Sequence, residues 1–133
     1  MSPVHPTGAP PRPLVYVIDD EPSIRRYLEA ALRAVGCDVA LFSGAESALD
    51  AVRQVRPDVV LLDWLMPGLC GRPAVLALRS AGAGQVVVCS ARVTLDPGDF
   101  LRISGADDFI AKPCSLDELE AGLRQWVLPR ESD

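Results

Sequence analysis

Four apolar runs in this chain end on side chains able to do chemistry. VIDD closes on Asp19 and Asp20, VLLD on Asp63, VVCS on Ser90 and FIAK on Lys112. Carboxylates, a hydroxyl and an ammonium gathered in one place would trap a phosphoryl group. Three carboxylates brought together repel one another and raise their own pKa values, and a divalent cation relieves that repulsion. Mg²⁺ suits the role because it takes oxygen ligands, keeps several waters and is commonly held by one or two carboxylates plus a phosphate. Metal, ammonium and hydroxyl around one carboxylate would stabilise charge developing on a transferring phosphoryl group. Aspartate is itself a covalent acceptor in aspartyl-phosphate chemistry. Asp63 fits that place: it ends an apolar run and precedes the turn-rich MPGLCG, whereas Asp20 opens a helix. Lys112 is the only lysine beside twelve arginines, which suggests that a compact, movable ammonium is required there rather than a planar fork.

Taken singly, each of these residues has an ordinary structural explanation. An Asp pair before a helix usually caps it, and an Asp after a strand usually forms a turn. Ser90 and the Lys112-Pro113 step would pass as structural, and Phe109 as core. The coincidence decides the matter, provided the four runs are neighbouring strands of one sheet.

The elements that would position them are legible. LVYVIDD (14–20) reads as a first strand, followed by a helix with apolar residues at Ile24, Tyr27, Leu28, Ala31, Leu32 and Val35, spaced to keep one face apolar. Pro22 suits its first turn and Gly36 the position after its end. CDVALF (37–42) is a second strand, and Ser43 with Glu46 suggests a capping box for a helix to about Val55. DVVLLDW (58–64) is the third strand, and a short helix follows from Pro73 to about Ser80. QVVVCSA (85–91) is the fourth strand, and Asp96-Pro97 opens a brief helix stopped by Gly105. DDFIAKP (107–113) carries the fifth strand. Ser115 and Glu118 box the start of a last helix expected to bury Leu116, Leu119, Leu123, Trp126 and Val127.

Five strand–helix units with continuous Val/Leu/Ile strands predict a parallel sheet buried on both faces. Right-handed crossovers make it a doubly wound, three-layer α/β domain. Ligands of such sheets bind outside the carboxyl ends of the strands, where Asp19, Asp20, Asp63, Ser90 and Lys112 all fall. The second strand ends in Leu41-Phe42, as expected of an edge away from the site.

Composition excludes several classes. A formal charge of −5 without a basic stripe makes direct nucleic-acid binding by this domain a poor expectation. No apolar run approaches the roughly 20 residues of a membrane-spanning helix. The N-terminus lacks the charged start and apolar stretch of a secretory signal, so a cytoplasmic protein is expected. Residues 1–13 hold five of the twelve prolines and are expected to form a disordered or polyproline-like arm. Residues 129–133 form a polar tail. Cys37, Cys70, Cys89 and Cys114 form no CxxC pair and read as small packing residues, with a regulatory thiol at Cys70 or Cys114 as the minor alternative.

VYVIDDEPSIRRYL, VVLLDWLMPGLCG, VVVCSA and GADDFIAKP together resemble the motif blocks of response-regulator receiver domains, over about residues 14–128. The resemblance implies the flavodoxin-like strand order 2-1-3-4-5, with Asp63 as phosphoacceptor. It makes Asp20 a direct Mg²⁺ ligand, Asp19 a ligand through water, and the Leu65 backbone carbonyl a further ligand. Ser90 and Lys112 become the phosphate contacts and Lys112-Pro113 a cis peptide. Ser90 and Phe109 become the switch pair that alters the face of helix 4, strand 5 and helix 5. The donor would be the phosphohistidine of a sensor kinase or phosphotransfer protein. Such a protein is a switch with self-catalysed phosphotransfer rather than an enzyme. Leu65 and Arg92, two residues beyond acceptor and switch serine, would screen the phosphorylated site from water.

Three other readings compete. A receiver-like interaction module independent of phosphate is the alternative, opposed by the complete acidic set. A haloacid-dehalogenase-type phosphatase needs a second acid two residues after the nucleophile, where Leu65 stands. A flavodoxin-like flavin carrier needs a Ser/Thr/Gly phosphate loop where Asp19-Asp20-Glu21 would repel the phosphate.

Overall fold

The structure, a computed structural model, describes residues 12–91 and 96–127. Its elements alternate throughout: β1 (Leu14–Ile18), α1 (Pro22–Ala34), β2 (Asp38–Phe42), α2 (Ala45–Gln54), β3 (Val59–Asp63), α3 (Gly71–Ala81), β4 (Gln85–Ser90), α4 (Pro97–Ser104), β5 (Asp108–Ala111) and α5 (Leu116–Trp126). The strands form one sheet in the order β2-β1-β3-β4-β5, and every paired neighbour is parallel. Both the expected layers and the expected order are present.

Side chains alternate across the sheet because successive Cβ atoms of a strand point to opposite faces. Tyr16, Ile18, Val60, Leu62, Val86 and Val88 pack with α2, α3 and Phe100 of α4. Val15, Val17, Val59, Leu61, Val87 and Cys89 pack with Leu28 and Leu32 of α1 and Leu119 and Trp126 of α5. β3, at the centre, is buried along its whole length. The continuous apolar strands thus satisfy two cores at once, and their only polar residue at the rim is the one that ends each run.

The helix ends follow local chemistry with one exception. Ser115 and Glu118 form the expected capping box, and Asp96 caps α4 by accepting from the Gly98 and Asp99 amides at 3.0 and 3.4 Å. Gly36 and Gly105 follow their helices in left-handed conformation, φ +97° and +79°. α2 lacks its expected capping box: Gly44 is its N-cap, and no side chain caps it. The Glu46 carboxylate instead accepts from the Leu69 amide at 2.9 Å, because a tertiary partner across the loop outcompetes the local one. α3 begins two residues before Pro73, which its first turn tolerates.

Two residues expected in the core are exposed, Tyr27 at 46% and Leu116 at 42%. Tyr27 keeps its polar tip at the surface and donates from its hydroxyl to the Cys114 carbonyl at 2.6 Å, tying α1 to the segment before α5. Leu116 lies in the first turn of α5, past the end of a four-residue β5, whereas Leu119 and Trp126 face the sheet. Residues 1–11 and 128–133 lie outside the described residues, and so most of the expected arm does too. Its last members bind β2: Arg12 Nε donates to Asp38 at 2.9 Å, and the Pro13 carbonyl accepts from the Asp38 amide at 2.8 Å. Among the described residues, no helix is long and apolar enough to cross a membrane.

Before β4, Gly84 crosses the preceding loop so closely that a Cβ there would stand 2.5 Å from the Asp58 carbonyl oxygen. Gly84→Ala is therefore expected to destabilise the fold by about 1–3 kcal/mol, the usual cost of overpacking, measured as a lower urea midpoint with unchanged slope.

Candidate functional site

The site is built at the carboxyl rim of β1, β3, β4 and β5. Asp19 follows β1, and its amide donates to the Phe42 carbonyl at 3.1 Å, which anchors it between two strand ends. Its Oδ1 accepts from the Glu21 amide at 2.9 Å, folding the chain back into α1. Asp63 is the last residue of β3, held in register with Cys89 of β4. Ser90 ends β4 almost fully buried, and its carbonyl accepts from the Lys112 amide at 2.9 Å. Lys112 follows β5 and precedes Pro113 through a cis peptide.

Lys112 gathers the site. Its Nζ lies 2.7 Å from Asp19 Oδ2 and 3.1 Å from Asp63 Oδ1, with side-chain exposures of 12%, 2% and 9% for Lys112, Asp19 and Asp63. Asp20 is exposed at the mouth, and Asp19, Asp20 and Asp63 each offer an oxygen within 4.8 Å of the others. Burial pushes the Asp63 carboxyl above the ordinary carboxylate range, helped by the charges of Asp19 and Asp20 and only partly offset by Lys112. Burial works against the Lys112 charge as well, yet its bonds to Asp19 and Asp63 outweigh this and raise its pKa. One ammonium thus holds together carboxylates that would otherwise separate.

Phe109, on β5, is half-buried and meets Phe100 edge-on at 5.6 Å between ring centroids. Phe100 in turn meets Trp64, the residue after Asp63, at 5.0 Å. Leu65 is 75% exposed at the mouth. Arg92, expected beside it as a screen, lies outside the described residues.

The rim thus brings together Asp19, Asp20, Asp63 and Lys112, with Ser90 at the end of the neighbouring β4. Sequence reasoning missed two supports. Arg25 of α1 donates to the Asp19 carbonyl at 2.6 Å, buttressing the acidic turn; its arginine on a helix face carried no sign of this. Glu46 reaches the β3–α3 loop, and that bond to the Leu69 amide lowers its carboxyl pKa. Because a lowered carboxylate pKa stabilises the folded form only above the unfolded pKa, the tie weakens as pH falls through the folded value. Glu46→Ala is expected to speed hydrogen exchange of the Leu69 amide roughly three- to tenfold, the range one net hydrogen bond supplies. Unchanged exchange would show that the loop holds itself.

A parallel sheet in the order 2-1-3-4-5, covered on both faces and acidic at its carboxyl rim, defines a doubly wound α/β protein of the flavodoxin-like fold. The model of the response regulator receiver domain family matches residues 15–124, and the chain belongs to that family. It is 40% identical over 123 residues to the DNA-binding response regulator MtrA of Mycolicibacterium smegmatis, covering 92% of this chain and 54% of that protein. The chain spans about half the length of the curated relatives it matches. Among solved structures, the receiver domain of Francisella response regulator 1452 superposes with a TM-score of 0.78 at 29% identity, over 90% of this chain and 99% of that one. The receiver domain of the Pseudomonas aeruginosa sensor histidine kinase PA1611, solved with a magnesium ion in its active-site cleft, gives 0.77 at 25% identity, over 87% and 98%.

Proposed function

We propose that this receiver domain accepts a phosphoryl group on Asp63 from the phosphohistidine of a sensor kinase or phosphotransfer protein. The observation that carries the reading is the double contact of Lys112 with Asp19 and Asp63, beside the carboxylate of Asp20. An Asp63 oxygen attacks phosphorus, the new P–O bond forming as the P–N bond breaks, and the departing imidazole takes up a proton. Lys112 follows the phosphoryl oxygens, and the Ser90 hydroxyl contacts them from β4.

The donor set is entirely hard oxygen, which fits Mg²⁺ rather than a soft metal. Asp20 and Asp63 would hold it with the Leu65 carbonyl. Asp19, whose two oxygens already serve Glu21 and Lys112, would act through water. When bound, the cation supplies charge neutralisation for the incoming phosphate. The magnesium in the PA1611 receiver supports this reading.

Withdrawal of Ser90 toward phosphate frees Phe109 to turn, altering the face of α4, β5 and α5 that a downstream partner reads. The domain acts as a switch, not as an enzyme on a separate substrate. Its acidity argues against direct contact with nucleic acid, and on this reading the domain works in the cytoplasm, where a sensor kinase or phosphotransfer protein presents its phosphohistidine.

Beryllofluoride, which mimics the phosphoryl group, titrated with Mg²⁺ while Trp64 fluorescence is followed, tests the proposal. A Mg²⁺-dependent change in the parent, absent from Asp63→Asn, is expected. No change in the parent, with Mg²⁺ binding absent as well, would leave a phosphate-independent interaction module.

A further inference from the structure

Cys89 and Cys114 sit beneath the site and take no part in the proposed chemistry. They are 2% and 4% exposed, and both belong to the core between the sheet, α1 and α5. Both also line one cavity of about 30 Å³, walled by Tyr27, Leu28, Lys112 and Pro113. A space of that size admits a solute little larger than water. Cys37 and Cys70 lie elsewhere, before β2 and before α3, and do not line it.

The two thiols address each other. Each thiol bears on the other: the neighbouring Cys89 pulls the Cys114 pKa below the ordinary thiol value, while Cys114 and burial push the Cys89 thiol up. The Lys112 ammonium favours the thiolate at both. A thiolate is the nucleophile in thiol oxidation, and Cys114, which like Cys89 lines the cavity, is taken as the attacking sulfur with Cys89 resolving.

We propose that Cys89 and Cys114 are a modification site, closing into a reversible disulfide when a small peroxide enters the cavity they share. The Cys114 sulfur attacks one peroxide oxygen; an S–O bond forms, the O–O bond breaks, and the leaving hydroxide takes the proton shed by the thiol as water. The Cys89 sulfur then attacks the sulfenic sulfur; the S–S bond forms, the S–O bond breaks, and a second water leaves with the Cys89 proton. Two thiols are oxidised and one peroxide is reduced. The bond would staple the residue before Ser90 to the segment just beyond Lys112, joining the ends of β4 and β5. Its formation stands apart from the phosphoacceptor reading, since a cross-link is read by mass alone.

The test exposes the folded chain to hydrogen peroxide, then unfolds and alkylates it and maps its peptides by mass spectrometry. The expected product is a Cys89–Cys114 cross-linked peptide lacking two hydrogens, restored by dithiothreitol. Cys37→Ala and Cys70→Ala keep it, and Cys89→Ala and Cys114→Ala abolish it. Alkylated Cys89 and Cys114 under peroxide that oxidises Cys70 overturn the proposal. So does a main cross-link to Cys37 or Cys70, or Cys114 driven to sulfinic acid beside a reduced Cys89. The map of the parent chain decides the question even where an alanine variant fails to fold.

Discussion

Asp63→Asn is expected to abolish phosphoryl incorporation from acetyl phosphate, seen by intact mass as loss of the phosphorylated species, and at the same time to make the metal-free fold more stable. The first effect follows from removing the nucleophile. The second follows from the electrostatics of the rim. Burial and the neighbouring acids raise the Asp63 pKa in the folded state, with Lys112 compensating only in part. The sign is then fixed: a carboxylate with a raised folded pKa binds more protons folded than unfolded, so stability falls as pH climbs through the window above the ordinary value. Above that window the parent carries the whole loss, and a neutral isostere does not. Thermal melts without Mg²⁺ should place Asp63→Asn above the parent near neutrality, the two converging as acid protonates Asp63. A variant that melts below the parent at neutral pH would mean that the Lys112 contact outweighs desolvation. In the parent, labelling should rise with pH across the same window, as more Asp63 is ionised.

Removal of the lysine has the opposite sign and a larger size. Lys112→Ala leaves two buried carboxylates facing each other without their shared cation. Breaking a buried pair in this way costs about 3–5 kcal/mol, or roughly 10–20 °C in melting temperature for a domain of this size. The raised Lys112 pKa means that this stabilisation is complete below the unfolded lysine value and disappears only as pH rises through the folded one. Mg²⁺ should restore much of the loss, because a divalent cation relieves the same repulsion. Mg²⁺ should also bind the variant more tightly than the parent, since the ammonium no longer competes for Asp63. Calorimetric titration showing weaker Mg²⁺ binding in Lys112→Ala would sink this account. Response to beryllofluoride should nevertheless be lost, because the mimic's fluorides need that ammonium.

Much of this could be read from the chain because the decisive signals were local. An apolar run such as VVLLD or QVVVCS announces a buried strand, and in a parallel sheet each strand's carboxyl end lies at one rim. Naming the last polar residue of each run was therefore enough to assemble Asp19, Asp63, Ser90 and Lys112. What escaped was competition between local and distant partners. Ser43 and Glu46 have the spacing of a capping box, but the Leu69 amide, 23 residues away, takes the carboxylate. Tyr27 has the period of a core residue, yet its hydroxyl holds it at the surface against Cys114. Cys89 and Cys114 carry no motif, and only the packing of β4 against the segment after β5 brings them together.

Trp64, Phe100 and Phe109 come from the end of β3, from α4 and from β5, and they touch in sequence. A closely packed interior transmits the movement of one ring to those it touches. If Phe109 turns as proposed, it would press on Phe100, and through it on an eight-residue helix anchored to the core by that ring and Ser104. On that proposal the position of α4 would be two-valued rather than graded. Trp64, at the far end of the stack and beside the acceptor, would then report both the chemistry and its mechanical consequence, once the signal of Trp126 is removed by substitution.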